Sequence, residues 1–279
     1  MKSKYQIKFA ILVFFLSGFF SCADWEQTIN LPNNNPTTSK RVVVIEEFTG
    51  ASCVNCPPGI IQSKLIQDLY PNNVIVIAVH SKFLAQPATK GQVDLRTPDA
   101  QLIEDFLGSW FAKPEAAFNR FYDVSGQTYR FGTPDTWRTF VETELKKDPQ
   151  VELKIASEFN DATRELKVKL SVKGLLAISK SIHLHCGITE SEIIADQLDN
   201  SGKLVDFEHN HALRKMITSI AGDKIASSIS VGELFEKEYS FVLPQDSILW
   251  NPIHCDVFAY VSLDENEKYI LQAAETKVK

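Results

Sequence analysis

Two cysteines, Cys53 and Cys56, stand three positions apart in the run Cys53-Val54-Asn55-Cys56-Pro57-Pro58. Thiols at this spacing can close a disulfide, exchange it with a partner, or supply half of a zinc site. The thiolate is the attacking form, and the positive end of a helix with its unpaired amides stabilises that anion. Zinc would need two further ligands, and the chain has neither a second CxxC nor an HxxxH. His183, His185, His209, His211 and His254 fit no common zinc spacing and read as structural or surface residues, so no metal is assigned. Thiol-disulfide exchange is the sharper reading: Cys53 attacks, and Cys56, a turn further on, resolves the mixed disulfide by displacing the partner's sulfur. No organic cofactor is needed, because the two thiols carry the electrons. The alternative is a structural disulfide that never turns over, in a cell-envelope binding or assembly protein.

This chemistry requires a strand, a loop and a helix start around the pair. The apolar run Val42-Val43-Val44-Ile45 reads as a strand covered on both faces in a parallel sheet. A turn follows at Thr49 and Gly50. Pro57 and Pro58 suit the first turn of a helix that continues to Tyr70, with Ile61, Leu65 and Leu69 sharing one face. Val74 to Val79 is a second buried-strand pattern ending at His80, which completes a βαβ unit. His80 lies past the carboxyl end of that strand, the side where such sheets place sites, although a plain polar strand terminus explains it as well. Thr97 and Pro98 open a helix with Leu102, Ile103 and Phe106 facing inward, and Pro114 precedes the short strand-like run Ala116 to Phe118. Thr133 and Pro134 open another helix, with Trp137, Phe140, Val141 and Leu145 on one side, which closes at Asp148 and Pro149.

Beyond Gln150 the period becomes two. Val151, Leu153 and Ile155 alternate with polar residues, as do Leu166, Val168, Leu170 and Val172 after a turn at Asn160 and Asp161. Further strand patterns at Ile182 to Ile188, Tyr239 to Leu243, Asp256 to Leu263 and Tyr269 to Ala274 predict an antiparallel sandwich. Cys186 and Cys255 each share a strand face with apolar residues and point into its core. A disulfide between them and two buried free thiols are equally compatible with the sequence.

The first 22 residues resemble a bacterial export signal: Lys2, Lys4 and Lys8, an apolar stretch from Phe9 to Phe20, then Ser21 and Cys22. The stretch is shorter than the roughly 20 residues of a membrane span. A cysteine in this place resembles the lipoprotein signal, in which its thiol is acylated and begins the mature chain; cleavage after Ala23 is the competing reading. The Asn-, Pro- and Thr-rich residues 23–40 form a tether suited to holding a domain off a membrane. The formal charge of −6 becomes more negative once the three signal lysines are lost, and no basic run is present, which argues against a nucleic-acid partner.

Glu47-Phe48-Thr49-Gly50-Ala51-Ser52-Cys53-Val54-Asn55-Cys56-Pro57 resembles the active-site strand and loop of thioredoxin-like proteins. More narrowly it resembles the exported lipoproteins of the outer-membrane protein 28-related family, as do Glu208 to Arg214, Phe258 to Val261 and Leu271 to Ala274. The resemblance implies that Glu47, six positions before Cys53, relays a proton to and from Cys56. It also implies that Pro114 is the cis-proline facing the disulfide. The expected fold class is an α/β thioredoxin-like domain over residues 41–148 followed by an all-β antiparallel sandwich domain over 149–279. The expected place is the cell envelope, lipid-anchored at the outer membrane, with protein thiols or disulfides as substrates.

Overall fold

The apolar run after Arg41 becomes β1 (Val43–Phe48), buried along its whole length, in a computed structural model that describes residues 41–108, 112–246 and 248–279. β1 pairs in parallel with β2 (Val74–Val79) through the crossover helix α1 (Pro57–Leu69). Thr97 caps α2 (Pro98–Phe106) by accepting the Ala100 amide at 3.0 Å. β3 (Glu115–Phe118) runs antiparallel along the free edge of β1, and α3 (Pro134–Leu145) follows. Strand alternation sorts the side chains of β1 into two layers. Val43 and Ile45 pack with Ile66, Trp137 and Val141 beneath α1 and α3, and Glu47 points the same way. Val44 and Phe48 face the opposite layer with Ile103, and Glu46 follows them.

Periodicity leaves the buried side of α1 open and misplaces one residue of α2. Ile61, Leu65 and Leu69 do share one face of α1, but it is the solvent side, with 58%, 53% and 54% of each residue exposed. The helix instead buries Pro57, Gly59, Ser63 and Ile66, because the sheet lies under that side. On α2, Ile103 is buried while Leu102 is half exposed.

The second half supplies ten strands. β4 (Val151–Asn160) and β5 (Glu165–Gly174) form the expected hairpin. They are followed by β6 (Ile182–Glu190), β7 (Ile193–Asp199), β8 (Gly202–His209), β9 (Ala212–Met216), β10 (Asp223–Ala226), β11 (Leu234–Val242), β12 (Cys255–Leu263) and β13 (Ile270–Lys277). β11, β5 and β4 make a three-stranded antiparallel sheet. Its inner residues Leu153, Ile155, Val168 and Leu170 pack against Leu184, Ile188, Val257 and Val261, a sandwich core between two sheets.

The expected fold class, a thioredoxin-like α/β domain followed by a separate all-β sandwich, is corrected here. The chain is mostly β, and its larger sheet runs β13-β12-β6-β9-β2-β1-β3 with β10 on β6, so strands from both halves lie in one mixed sheet. The junction is the parallel contact of β2 with β9, where Ala78 meets Ala212 and the Ala78 amide donates to the His211 carbonyl at 2.8 Å. The described residues from Arg41 to Lys279 fall within one compact unit, and the periodicity changes near 148 to 150 inside it.

Buried polar contacts tie the halves further. Arg120 donates to Glu46 from Nε at 2.9 Å and Nη2 at 2.7 Å, and Nη2 also donates to the Tyr260 hydroxyl at 2.7 Å. Arg41 Nη2 donates to the Ile270 carbonyl at 2.6 Å, and the Ile270 amide to the Asn119 carbonyl at 2.9 Å. Removing one partner of a buried ion pair typically costs about 3–5 kcal/mol, so Glu46 fixes Arg120 where its guanidinium reaches Tyr260 of the second half.

Cys186 and Cys255 are buried, free thiols, which settles their alternative. They lie on neighbouring strands of one sheet, with Cys186 opposite Ala259 and Cys255 opposite Glu190. That four-residue offset separates them by about 13 Å along the strands, beyond disulfide reach.

Candidate functional site

The loop between β1 and α1 is built from main-chain turns. The Thr49 amide donates to the Val79 carbonyl at 3.2 Å, Cys53 to Gly50 at 3.0 Å, and Cys56 to Cys53 at 3.1 Å. Gly50 is required by a close approach: a Cβ there would lie 2.2 Å from the Leu84 carbonyl oxygen. Cys56 becomes the N-cap of α1, and Cys53 and Cys56 are joined in a disulfide with their Cα atoms 5.3 Å apart.

One part of the expected activation is corrected by this geometry. Pro57 and Pro58 carry no amide hydrogen, and the Gly59 and Ile60 amides both donate to the Cys56 carbonyl. The helix end therefore offers the sulfurs its dipole and few free donors. Both cysteines are also covered, with Cys53 1% and Cys56 0% exposed, while Val54 between them is 41% exposed.

Glu47 is fully buried on the α1 side of β1, among apolar neighbours. Burial pushes its carboxyl up from 4.5 to about 7, with the Ser63 hydroxyl working the other way, and Oε1 makes no hydrogen bond. The Lys113-Pro114 peptide bond is cis. The Pro114 ring lies against Gly59 in the first turn of α1, where a Cβ would come within 2.8 Å of it. Its neighbour Lys113, which sequence reasoning passed over, is buried and donates to Ser81 Oγ at 2.5 Å, the Phe83 carbonyl at 2.9 Å and the Thr49 carbonyl at 3.3 Å, and pairs with Glu104 at 3.4 Å. Burial lowers its pKa, opposed by Glu104. Lys113 thus joins the cysteine loop, the segment after β2 and the cis-proline turn.

Sequence reasoning also missed the β7–β8 hairpin, which lies against the cysteine loop. Gln197 is fully buried and its amide donates to the Gly50 and Cys53 carbonyls at 3.1 Å each, while the Leu198 amide donates to the Ala51 carbonyl at 2.8 Å. An alternating strand gives a glutamine no distinguishing mark. Two histidines meet nearby: the rings of His80 and His209 lie 5.9 Å apart, both buried, each with an unpartnered Nε2. Burial holds both in the neutral form, His209 at about 4 and His80 well below its ordinary value, to which the neighbouring His209 and Arg214 add. Thus Cys53 and Cys56 lie at the start of α1 with Pro114 against its first turn, while Glu47 lies beneath the helix beside Ser63. Cys186 and Cys255 lie in the sandwich core, and Cys22 falls outside the described residues. Among the described residues no group of three or more His, Cys, Asp or Glu side chains is arranged to hold a metal ion.

The fold is similar to that of HBP35 of Porphyromonas gingivalis, with a TM-score of 0.67 at 17% identity over 86% of this chain and 76% of that one. A protein from Agrobacterium tumefaciens aligns with a TM-score of 0.53 at 12% identity, over 86% of this chain and 96% of that one. Such identities show the fold alone, and the coverage takes in both halves together, as the shared sheet does. No curated relative matches the chain. The model of the family Outer membrane protein Omp28 matches residues 109–279, more than half of the chain, a stretch that does not include the cysteine pair. On that match the chain belongs to the Outer membrane protein Omp28 family.

Proposed function

We propose that this chain is an outer-membrane lipoprotein, anchored through Cys22, that exchanges disulfides with protein thiols through Cys53 and Cys56. The observation that carries the reading is a disulfide at the amino end of α1 with a buried carboxyl, Glu47, titrating near neutrality on the same side of the sheet. A partner thiolate attacks Cys53 Sγ, the bond to Cys56 breaks, and its electron pair stays on Cys56 Sγ, which takes a proton from Glu47. A second partner thiolate then displaces Cys53, which takes a proton from solvent, and Glu47 recovers its own. Two partner thiols are oxidised to a disulfide while the Cys53-Cys56 disulfide is reduced to two thiols. Pro114 shapes the surface beside the first turn of α1. The other reading, an inert disulfide in a binding or assembly lipoprotein, is favoured by the near-complete burial of both cysteines.

The test is single turnover of a dithiol protein substrate, one equivalent per disulfide-bonded full chain, against Cys53→Ser. Turnover present in the parent and absent from the variant supports exchange; equal rates sink it and leave the inert reading. Cys22→Ser is expected to move the protein from the membrane to the soluble fraction, and unchanged fractionation would remove the anchor.

A further inference from the structure

The hairpin over the pair stands apart from the two larger sheets. β7 and β8 pair with each other in a two-stranded sheet of their own. The antiparallel pair β6 and β9 leads into them through Glu192 and His211, with φ of 58° and 55°, both in the left-handed region that side chains other than glycine adopt at a cost. Two bonds brace this crossing: the Glu192 amide donates to Asn210 Oδ1, and the His211 amide to Ser191 Oγ, each at 3.0 Å. The ribbon so turns out of the large sheet and lies against the cysteine loop.

Its hold there is mostly polar. Thr89 donates to Asp196 and accepts from Lys203 at 3.0 Å, and the Asp196 amide donates to Gln92 Oε1 at 2.9 Å. The apolar anchor is a small cluster of Ile193 with Leu95 and Ala212, so opening exposes little apolar surface. The decisive contacts go to main chain. The Ala51 carbonyl accepts the Leu198 main-chain amide, and the Gly50 and Cys53 carbonyls, each already bonded to an amide of the loop, take a second bond from the side-chain amide of Gln197. An extended polypeptide in the place of β7 offers donors of the same kind, and it would carry its own side chains to the edge of the disulfide.

We infer that β7 is an internal stand-in for an extended substrate polypeptide. The cysteine pair then exchanges with a cysteine borne on a strand-like segment that displaces the hairpin, while small free thiols are kept out. The inference rests on the exchange reading and gives its substrate class. Gln197 is a positioning residue in this scheme: it holds the loop and the cover together without touching the reacting sulfurs.

The experiment uses the full chain with its disulfide intact and two probes, dithiothreitol and a reduced peptide of extended conformation bearing one cysteine. The rate of disulfide opening is followed together with hydrogen exchange at the Leu198 amide. In the parent, the peptide is expected to open the disulfide faster than dithiothreitol at equal thiolate concentration, with exchange at Leu198 accelerated by the peptide. Gln197→Ala removes two hydrogen bonds and is expected to raise the dithiothreitol rate about tenfold to thirtyfold. Lys203→Ala, on the surface, is expected to shift the rate the same way by less, which keeps the test standing should Gln197→Ala misfold. The inference is overturned, with the exchange reading intact, if the parent turns over yet treats both probes alike and neither variant changes the rates. If neither probe is oxidised by the parent or the variants, inference and reading fall together.

Discussion

The molecule holds two pairs of buried cysteines, and they behave as opposites. Cys53 and Cys56 sit on a turn entering α1, close enough to bond, beside a loop where Glu47, Thr49, Gln197 and His80 each keep a polar atom without a hydrogen bond. Cys186 and Cys255 sit in the sandwich among Val, Leu and Ile side chains, out of register with each other. Burial pushes the Cys186 thiol up to about 12, with Asp223 adding to the effect, and the Cys255 thiol rises as well, mainly through burial. All four residues are about equally inaccessible, at 1% exposure or less. Accessibility therefore does not separate the pair that closes a disulfide from the pair that stays as free thiols. Spacing on the backbone and the polarity of the lining do.

The largest expected effect tests that contrast directly. After mild reduction of the folded protein at pH 8, Cys53 and Cys56 are expected to alkylate, whereas Cys186 and Cys255 react about a thousandfold more slowly or not at all until the chain is unfolded. Comparable native rates for all four thiols would erase the distinction.

A smaller effect concerns the polar lining. Between pH 4.5 and about 7 the unfolded chain releases a proton that folded Glu47 keeps, so its contribution is fully present below pH 4.5 and is lost as pH rises through 7. Glu47→Gln is expected to match the parent near pH 4 and to exceed it at pH 8 by on the order of 3 kcal/mol in denaturant titrations. A variant no more stable at pH 8 would mean that the carboxyl is not isolated as the geometry has it.

The smallest effect runs the other way with pH and is confined to the cover. His209 and His211 are held by burial at about 4, and burial holds His80, which faces His209, Arg214 and Lys113, well below its ordinary value. As pH falls from 6.5 toward 4, an opened hairpin takes up protons that the closed one cannot. Opening of the hairpin, read by hydrogen exchange over residues 193–209, is expected to rise about tenfold between pH 6.5 and pH 5, ahead of strands in the sandwich core. Parallel rises in both regions would show that the cover is not a separate unit.

Much of the local structure was legible in the residues themselves. The unbroken Val-Ile run of β1, the prolines opening α1, α2 and α3, and the strict alternation of β4 and β5 encode backbone period and turn geometry within a few residues. The same short-range information marked Cys53 and Cys56 as a pair able to close. Whether Cys186 and Cys255 bond, which way the apolar stripe of Ile61, Leu65 and Leu69 faces, and where β9 goes are questions of a different order. Each depends on what lies across a gap, and a strand edge is satisfied by any neighbour that brings amides to it. The parallel contact at Ala78 and Ala212 that merges the two halves has no pattern of its own, and neither has a glutamine reaching back over the disulfide. Sequence alone determined the elements and the cysteine pair able to close; the tertiary structure decided which edges meet and what covers the sulfurs, because those depend on surfaces that exist only once the chain has folded.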